Sequence, residues 1–211
     1  LKMSKSKGNV VDPDAQVESY GSDSLRMYLM FMGPYDQGGP YDFGGIAGQR
    51  RFLDRVWNLV TPHAEGYAHK AAVTDDPVLN AQLAVATHKM TKKVTEDLER
   101  LSFNTAIAAM MELVNTMNKL SEKLSLGTPV WHENIEMLVR AMAPFVPHFA
   151  EELWSILGND ESVHTQAWPA WDPKLLEEDT MTIVVQVNGK VRANVMVDAN
   201  AAEDAVIAAA Q

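Results

Sequence analysis

The chain has 211 residues, 46% of them hydrophobic, enough to bury a sizeable core and hold a smaller appendage. It has no cysteine, which excludes disulfides and cysteine-based zinc sites; its six histidines show no paired metal spacing, and no apolar run approaches 20 residues, so neither a metal nor a membrane span is expected. The net charge of −10 is unevenly placed: residues 1–70 carry eight Lys and Arg against eight Asp and Glu, residues 71–128 six against seven, and residues 129–211 four against thirteen, so a nucleic acid would meet local basic groups and no general positive field.

The first thirteen residues read as a loop running into a helix start. Lys2, Lys5 and Lys7 alternate with Ser4 and Ser6, and Gly8 and Asn9 follow. Ammonium groups, hydroxyls and flexible backbone N–H donors are the chemistry that holds polyphosphate, although the charge composition by itself also fits a solvated loop. Asp12 and Pro13 supply an N-cap and a first helical position. A short helix over 13–20 should end on Gly21 in a left-handed conformation, and Ser22 should cap a second helix over 23–32 with Leu25, Tyr28, Leu29 and Met32 on one face. Residues 34–48 hold Pro34, Gly38, Gly39, Pro40, Gly44, Gly45 and Gly48. Without a Gly-Lys-Ser/Thr phosphate loop or a preceding strand, this reads as a linker.

A helix from Ile46 to about Val60 should turn Leu53, Val56, Trp57 and Val60 inward. Arg50, Arg51 and Arg55 lie on or beside its outer face, either to touch nucleic-acid backbone or to solubilise the helix next to Asp54. Residues 66–77 read as a polar linker ending in a helix-start signal at Pro77. Leu83, Met90, Val94, Leu98 and Leu101 then mark a long helix, and Ser102 should cap another carrying Phe103, Ile107, Met110, Val114, Met117, Leu120 and Leu124, an antiparallel pair whose methionines read as core. Gly127 to Pro129 breaks the chain, and helices over 131–142 and 148–157 flank a rigid corner between Pro144 and Pro147. A helical bundle of at least four members results. His148, directly after a proline at a helix start, reads as a capping or packing group. Residues 158–180 are acidic and irregular, with Trp168 and Trp171 expected to pack back on the bundle. The period then changes to two: 182–187, Asn188-Gly189 and 190–197 spell a hairpin with a type I′ turn, pairing Val187 with Lys190 and Val185 with Arg192. An Ala-rich helix should start near Ala201.

Several of these segments carry a family likeness. Lys2-Met3-Ser4-Lys5-Ser6, with Gly8-Asn9 and Asp12-Pro13 behind it, resembles the KMSKS signature of class I aminoacyl-tRNA synthetases. Residues 20–26 are similar to the segment that follows it in the leucyl, isoleucyl and valyl group, with Ser22 where alanine is usual. Residues 51–57, 104–113 and 143–154 resemble the anticodon-binding bundle of that group, and residues 185–193 resemble the start of the small C-terminal domain of bacterial-type leucyl enzymes.

The resemblance implies a mainly α fold: the signature loop and short helices (1–45), an anticodon-binding-type helical bundle (46–158), an acidic connector (159–180) and a partial α+β C-terminal domain with a β-hairpin (181–211). It implies a C-terminal piece, truncated at both ends and inactive alone, of a cytoplasmic, preferentially monomeric enzyme that joins leucine to tRNA(Leu) using ATP and Mg2+. Lys5 and Lys2 would be its catalytic residues, and Lys2, Met3, Ser4, Lys5 and Ser6 its ATP-binding loop. Arg50, Arg51, Arg55, Lys190 and Arg192 would be candidates for tRNA contact, with no ATP or metal expected on the fragment. An isoleucyl or valyl enzyme, or a non-catalytic helical interaction module, is the alternative.

Overall fold

The computed structural model of the chain describes residues 3–37, 39–68, 76–124, 127–177, 180–187, 190–198 and 207. The described helices follow in the order α1 (Pro13–Tyr20), α2 (Ser22–Phe31), α3 (Gly45–Ala68), α4 (Pro77–Glu99), α5 (Phe103–Ser121), α6 (Pro129–Met142) and α7 (Pro147–Ile156), with the strands β1 (Thr180–Val187) and β2 (Lys190–Asp198) behind them. The chain divides into two units, residues 1–171 and 172–211.

In the first unit, starts and stops are written locally. Asp12, Asp76 and Thr128 accept from the first-turn N–H groups of α1, α4 and α6, and each is followed by proline at the first helical position. Gly21, at φ +88° and ψ 153°, ends α1 and precedes α2; no left-handed helical residue and no Ser22 side-chain cap is involved, because Ser22 is already the first residue of α2. The α4–α5 turn closes with Ser102 N–H on Asp97 O at 2.8 Å and Leu101 N–H on Leu98 O at 3.1 Å, a Schellman pattern whose left-handed position is filled by Leu101 at φ 56°. The buried Asp97 carboxylate fixes this turn, taking Lys93 Nζ at 2.6 and 2.7 Å and the Thr105 hydroxyl at 2.6 Å. A three-residue connection between two long helices in contact makes them an antiparallel hairpin.

α4 and α5 pack together, α6 lies on α4 and α3, and α7 on α6 and α3; α2 reaches α3, α5 and α7. Ile107, Met110, Met117, Trp131, Leu138 and Leu153 are fully buried at their centre. The methionines are core, as their spacing implies. Trp168 returns to this unit, its Nε1–H donating to the Thr95 hydroxyl at 2.8 Å.

Two helix faces and one helix end differ from expectation. The buried face of α2 is Asp23, Ser24, Met27 and Tyr28, with Leu29 53% exposed, because Asp23 goes inside where the Phe149 N–H and His148 await its carboxylate, and Ser24 beside it is covered too. In α3, Leu53, Val56 and Val60 are buried but Trp57 is only half covered, tilted against Phe149 at 6.1 Å. That helix also runs through Pro62 to Ala68, past the expected stop, since Val60, His63 and Ala64 are buried on both sides of the proline.

His63 explains part of this persistence. A backbone N–H only donates, so the 3.2 Å contact from Gly127 N to His63 Nδ1 makes the ring neutral with its proton on Nε2, which faces His132 Nδ1 at 3.3 Å. His132 then carries its proton on Nε2, 3.5 Å from Glu136 Oε1, and stacks on Tyr67 with centroids 4.0 Å apart. Burial first, and the His132 ring second, lower the His63 pKa from 6.5 to about 4. Unfolded His63 binds a proton below pH 6.5 and folded His63 only near 4. Stability is therefore intact above 6.5 and falls as pH drops, by about 3 kcal/mol once pH 4 is passed. Thermal melts between pH 7.5 and 4 should show His63→Gln losing much of this acid sensitivity; an unchanged slope would refute it.

In the second unit, β1 and β2 pair antiparallel, with Val187 opposite Lys190 as expected. The ladder then steps over Arg192 between Val185 and Gln186, so Val185 meets Ala193 and not Arg192. The reason lies in the alternation. In this register Met181, Ile183 and Val185 oppose Val197, Val195 and Ala193, all apolar, whereas an unbroken register would set Arg192 against Val185 and Asn194 against Ile183. The Asn188-Gly189 turn and the expected helix from Ala201 lie outside the described residues.

Candidate functional site

The loop ahead of α1 is built by its own short side chains. Residues 5–7 make one 3-10 turn, closed by Lys7 N–H on Ser4 O at 3.1 Å. Asn9 folds back so that its Oδ1 accepts from Ser4 N–H at 2.9 Å, and Gly8, at φ +63°, permits the reversal. The Ser4 and Ser6 hydroxyls meet at 3.1 Å, and Ser6 and Lys7 are exposed. The loop is thus closed locally ahead of Asp12, because Asn9 supplies an acceptor that charge counting overlooks. Met3 is 44% exposed. Lys2 lies outside the described residues, and Lys5 opens the 3-10 turn.

Behind the loop, the buried Asp23 receives three groups. Its Oδ1 accepts from Arg26 Nη1 at 2.7 Å and faces His148 Nδ1 at 3.1 Å, and its Oδ2 accepts from the Phe149 backbone N–H at 2.7 Å. His148 is thus a partner of a carboxylate 125 residues away, a relation no local motif discloses.

Of the outer-face arginines of α3, Arg50 is paired with Asp54 at 2.9 Å. Arg51 and Arg55 are exposed one turn apart, Arg55 lying 5.9 Å from the Phe52 ring centroid, and Asn58 extends their row. Neither makes an ion pair among the described residues. Lys190 opens β2 and Arg192 sits at the register step. Among the described residues no three His, Asp or Glu side chains gather as a metal site needs, and no helix is long and apolar enough to cross a membrane.

A loop of this kind running through two short helices into a bundle of long ones is the architecture of an anticodon-binding region of class I synthetases. Residues 81–207 match the family model described as the anticodon-binding domain of tRNA ligase, and residues 1–38 match that of class I tRNA synthetases (I, L, M and V). The chain belongs to the anticodon-binding domain family of tRNA ligases, and its relatives there are leucine–tRNA ligases. It is 49% identical to the leucine–tRNA ligase of Herpetosiphon aurantiacus over 209 residues, 99% of the chain and 25% of that protein. The Deinococcus radiodurans ligase is 44% identical over 100% of the chain and 25% of the relative. In fold, the chain is similar to the crystal structure of the ternary complex of Agrobacterium radiobacter K84 agnB2 LeuRS with tRNA and LeuAMS: TM-score 0.79, 33% identity, 98% of the chain and 27% of that protein. The chain thus spans about a quarter of the length of the curated relatives it matches.

Proposed function

We infer that the chain is the tRNA-docking part of a leucine–tRNA ligase and lends it the signature loop of the ATP site. The complete enzyme would act in the cytoplasm, forming leucyl-adenylate and pyrophosphate from leucine and ATP and passing the leucyl group to tRNA(Leu). The observation that carries this reading is similarity at 49% identity over 99% of the chain to one enzyme. Lys5 would meet charge developing on the departing pyrophosphate, Lys2 would support it, and the Ser4 and Ser6 hydroxyls would hold phosphate oxygens; Mg2+ would arrive with ATP as part of the substrate. The loop's exposed hydroxyl pair and flexible Gly8 suit that task. We assign residues 1–45 to the loop and its helices, 46–158 to the bundle, 159–180 to a connector and 181–211 to a C-terminal domain. The test is leucine-dependent exchange of pyrophosphate into ATP by the complete chain, with isoleucine and valine in parallel; exchange driven by either of those in place of leucine would overturn the assignment.

For tRNA contact, Arg51 and Arg55 are the favoured pair, because Arg50 is already committed to Asp54. Each phosphate contact contributes about 0.7 to 0.9 to the slope of log affinity against log salt. Replacing both by alanine should therefore lower that slope for tRNA(Leu) by about 1.5, measured by fluorescence anisotropy from low to moderate salt. A slope equal to that of the unmodified protein would remove these two residues from the interface.

A further inference from the structure

Helix α7 begins without a cap of its own: Val146 precedes Pro147, and no side chain from that stretch accepts from its first turn. The N–H of its third residue, Phe149, goes instead to Asp23 Oδ2 at 2.7 Å, from the start of α2 and 126 residues away. The other oxygen is held by Arg26, with His148 Nδ1 3.1 Å from it. That ring nitrogen also lies 3.3 Å from Arg26 Nη1, so it either donates to the carboxylate or accepts from the guanidinium.

Two kinds of force thus hold α2 on the bundle. Met27 and Tyr28 bury apolar surface, which is non-directional and would tolerate a small slide or rotation. Asp23 adds a directional, charged bond to a helix N-terminus, fixing the register of α2 against α7. One residue before α2 stands Gly21 at φ +88°, and before it α1, which continues directly from the loop and packs on α2 and α3. Any change in the seating of α2 is carried to the loop through one short helix.

We propose that Asp23 is a positioning residue of the ligase, one that sets the orientation of the signature loop by capping α7 from α2. It rests on the reading of the loop as half of an ATP site, and it adds that the bundle and the reacting phosphates share one rigid link.

The test is a double-mutant cycle in the complete ligase, pairing Asp23→Ala with Lys5→Ala and reading kcat and KM for ATP in pyrophosphate exchange beside thermal melting. Asp23→Ala alone should lower kcat about tenfold, in line with the rate cost of displacing a positioned group. In the Lys5→Ala background it should cost under about twofold, since the group it positions is gone. Asp23→Asn, whose amide oxygen still accepts from Phe149, should return kcat to within about threefold of the unmodified enzyme. Should the alanine variant fail to fold, Asp23→Glu takes its place in the cycle, keeping the charge while displacing it by a methylene. A full tenfold loss on top of Lys5→Ala, or a lowered melting temperature with kcat unchanged, overturns the proposal. If Lys5→Ala alone leaves exchange unchanged, the reading of the loop has failed and the proposal falls with it.

Discussion

Replacing Lys5 by alanine in the complete ligase is expected to slow leucyl-adenylate formation about ten- to a hundredfold while leaving the melting temperature where it was. A charge-assisted hydrogen bond contributes about 1.5 to 3 kcal/mol, and each 1.36 kcal/mol removed from transition-state stabilisation is tenfold in rate. In the proposed role the bond would be made to charge that develops as pyrophosphate leaves, so the loss should fall on kcat more than on the KM for ATP. Stability should not follow, because none of the loop residues 3, 4 and 6–9 is buried. Pyrophosphate exchange at saturating leucine gives the rate, and circular dichroism the melt. An unchanged rate removes Lys5 from the chemistry; a lowered rate with an equally lowered melt would make the loop a structural element instead.

The second large effect is on stability. Gly127 stands at φ +98°, and a Cβ there would lie 2.8 Å from Gly66 C, 2.9 Å from Gly66 O and 3.0 Å from Tyr67 N. All three are backbone atoms of α3, which no rotamer change can move aside. Gly127→Ala must therefore either separate the turn before α6 from the end of α3 or strain both, and the left-handed φ adds about 1 to 2 kcal/mol of its own. The turn's N–H would also leave His63 Nδ1, a buried acceptor. Together these should cost about 3 kcal/mol or more, a fall in melting temperature of roughly 6 to 12 °C for a unit of this size. Gly158 provides the control: its φ is +92°, but nothing lies within 4 Å of the added Cβ. Gly158→Ala should lose only the dihedral cost, and equal losses at both positions would show that the contact with Gly66 is not the cause.

Much of the bundle was legible because it is written in local terms. Asp12 and Asp76 cap helices whose first residue is proline, and both starts fell where those signals stand, whereas α6 begins at Pro129 behind Thr128, two residues ahead of the expected 131. The apolar spacing of α5 from Ile107 to Leu120 was sufficient to place its buried face, although the helix ends at Ser121, before Leu124. The misses share one cause: a partner remote in sequence. Asp23 turned inward, against the apolar count, because Phe149 and His148 wait there for the carboxylate. α3 continued past Pro62 because the turn at Gly127 and the His132 ring hold its far end. In the hairpin, alternation in β1 was readable but the step at Arg192 was not, since it serves the pairing of both strands at once. The loop was recognised by its residue order, yet the closing bond from Ser4 to Asn9 needed the backbone path to be seen.

The bond between Asp23 and Phe149 also sets a clock on assembly. Its partners are 126 residues apart. At about 5 to 20 residues per second of synthesis, the carboxylate is made roughly 6 to 25 s before the N–H it will cap exists. The α4–α5 hairpin, whose contacts are near in sequence, can form during that interval, but the seating of α2 cannot be completed until α7 has emerged. The segment bearing the signature loop is thus made before the bundle and fastened only after the bundle's last described helix has emerged.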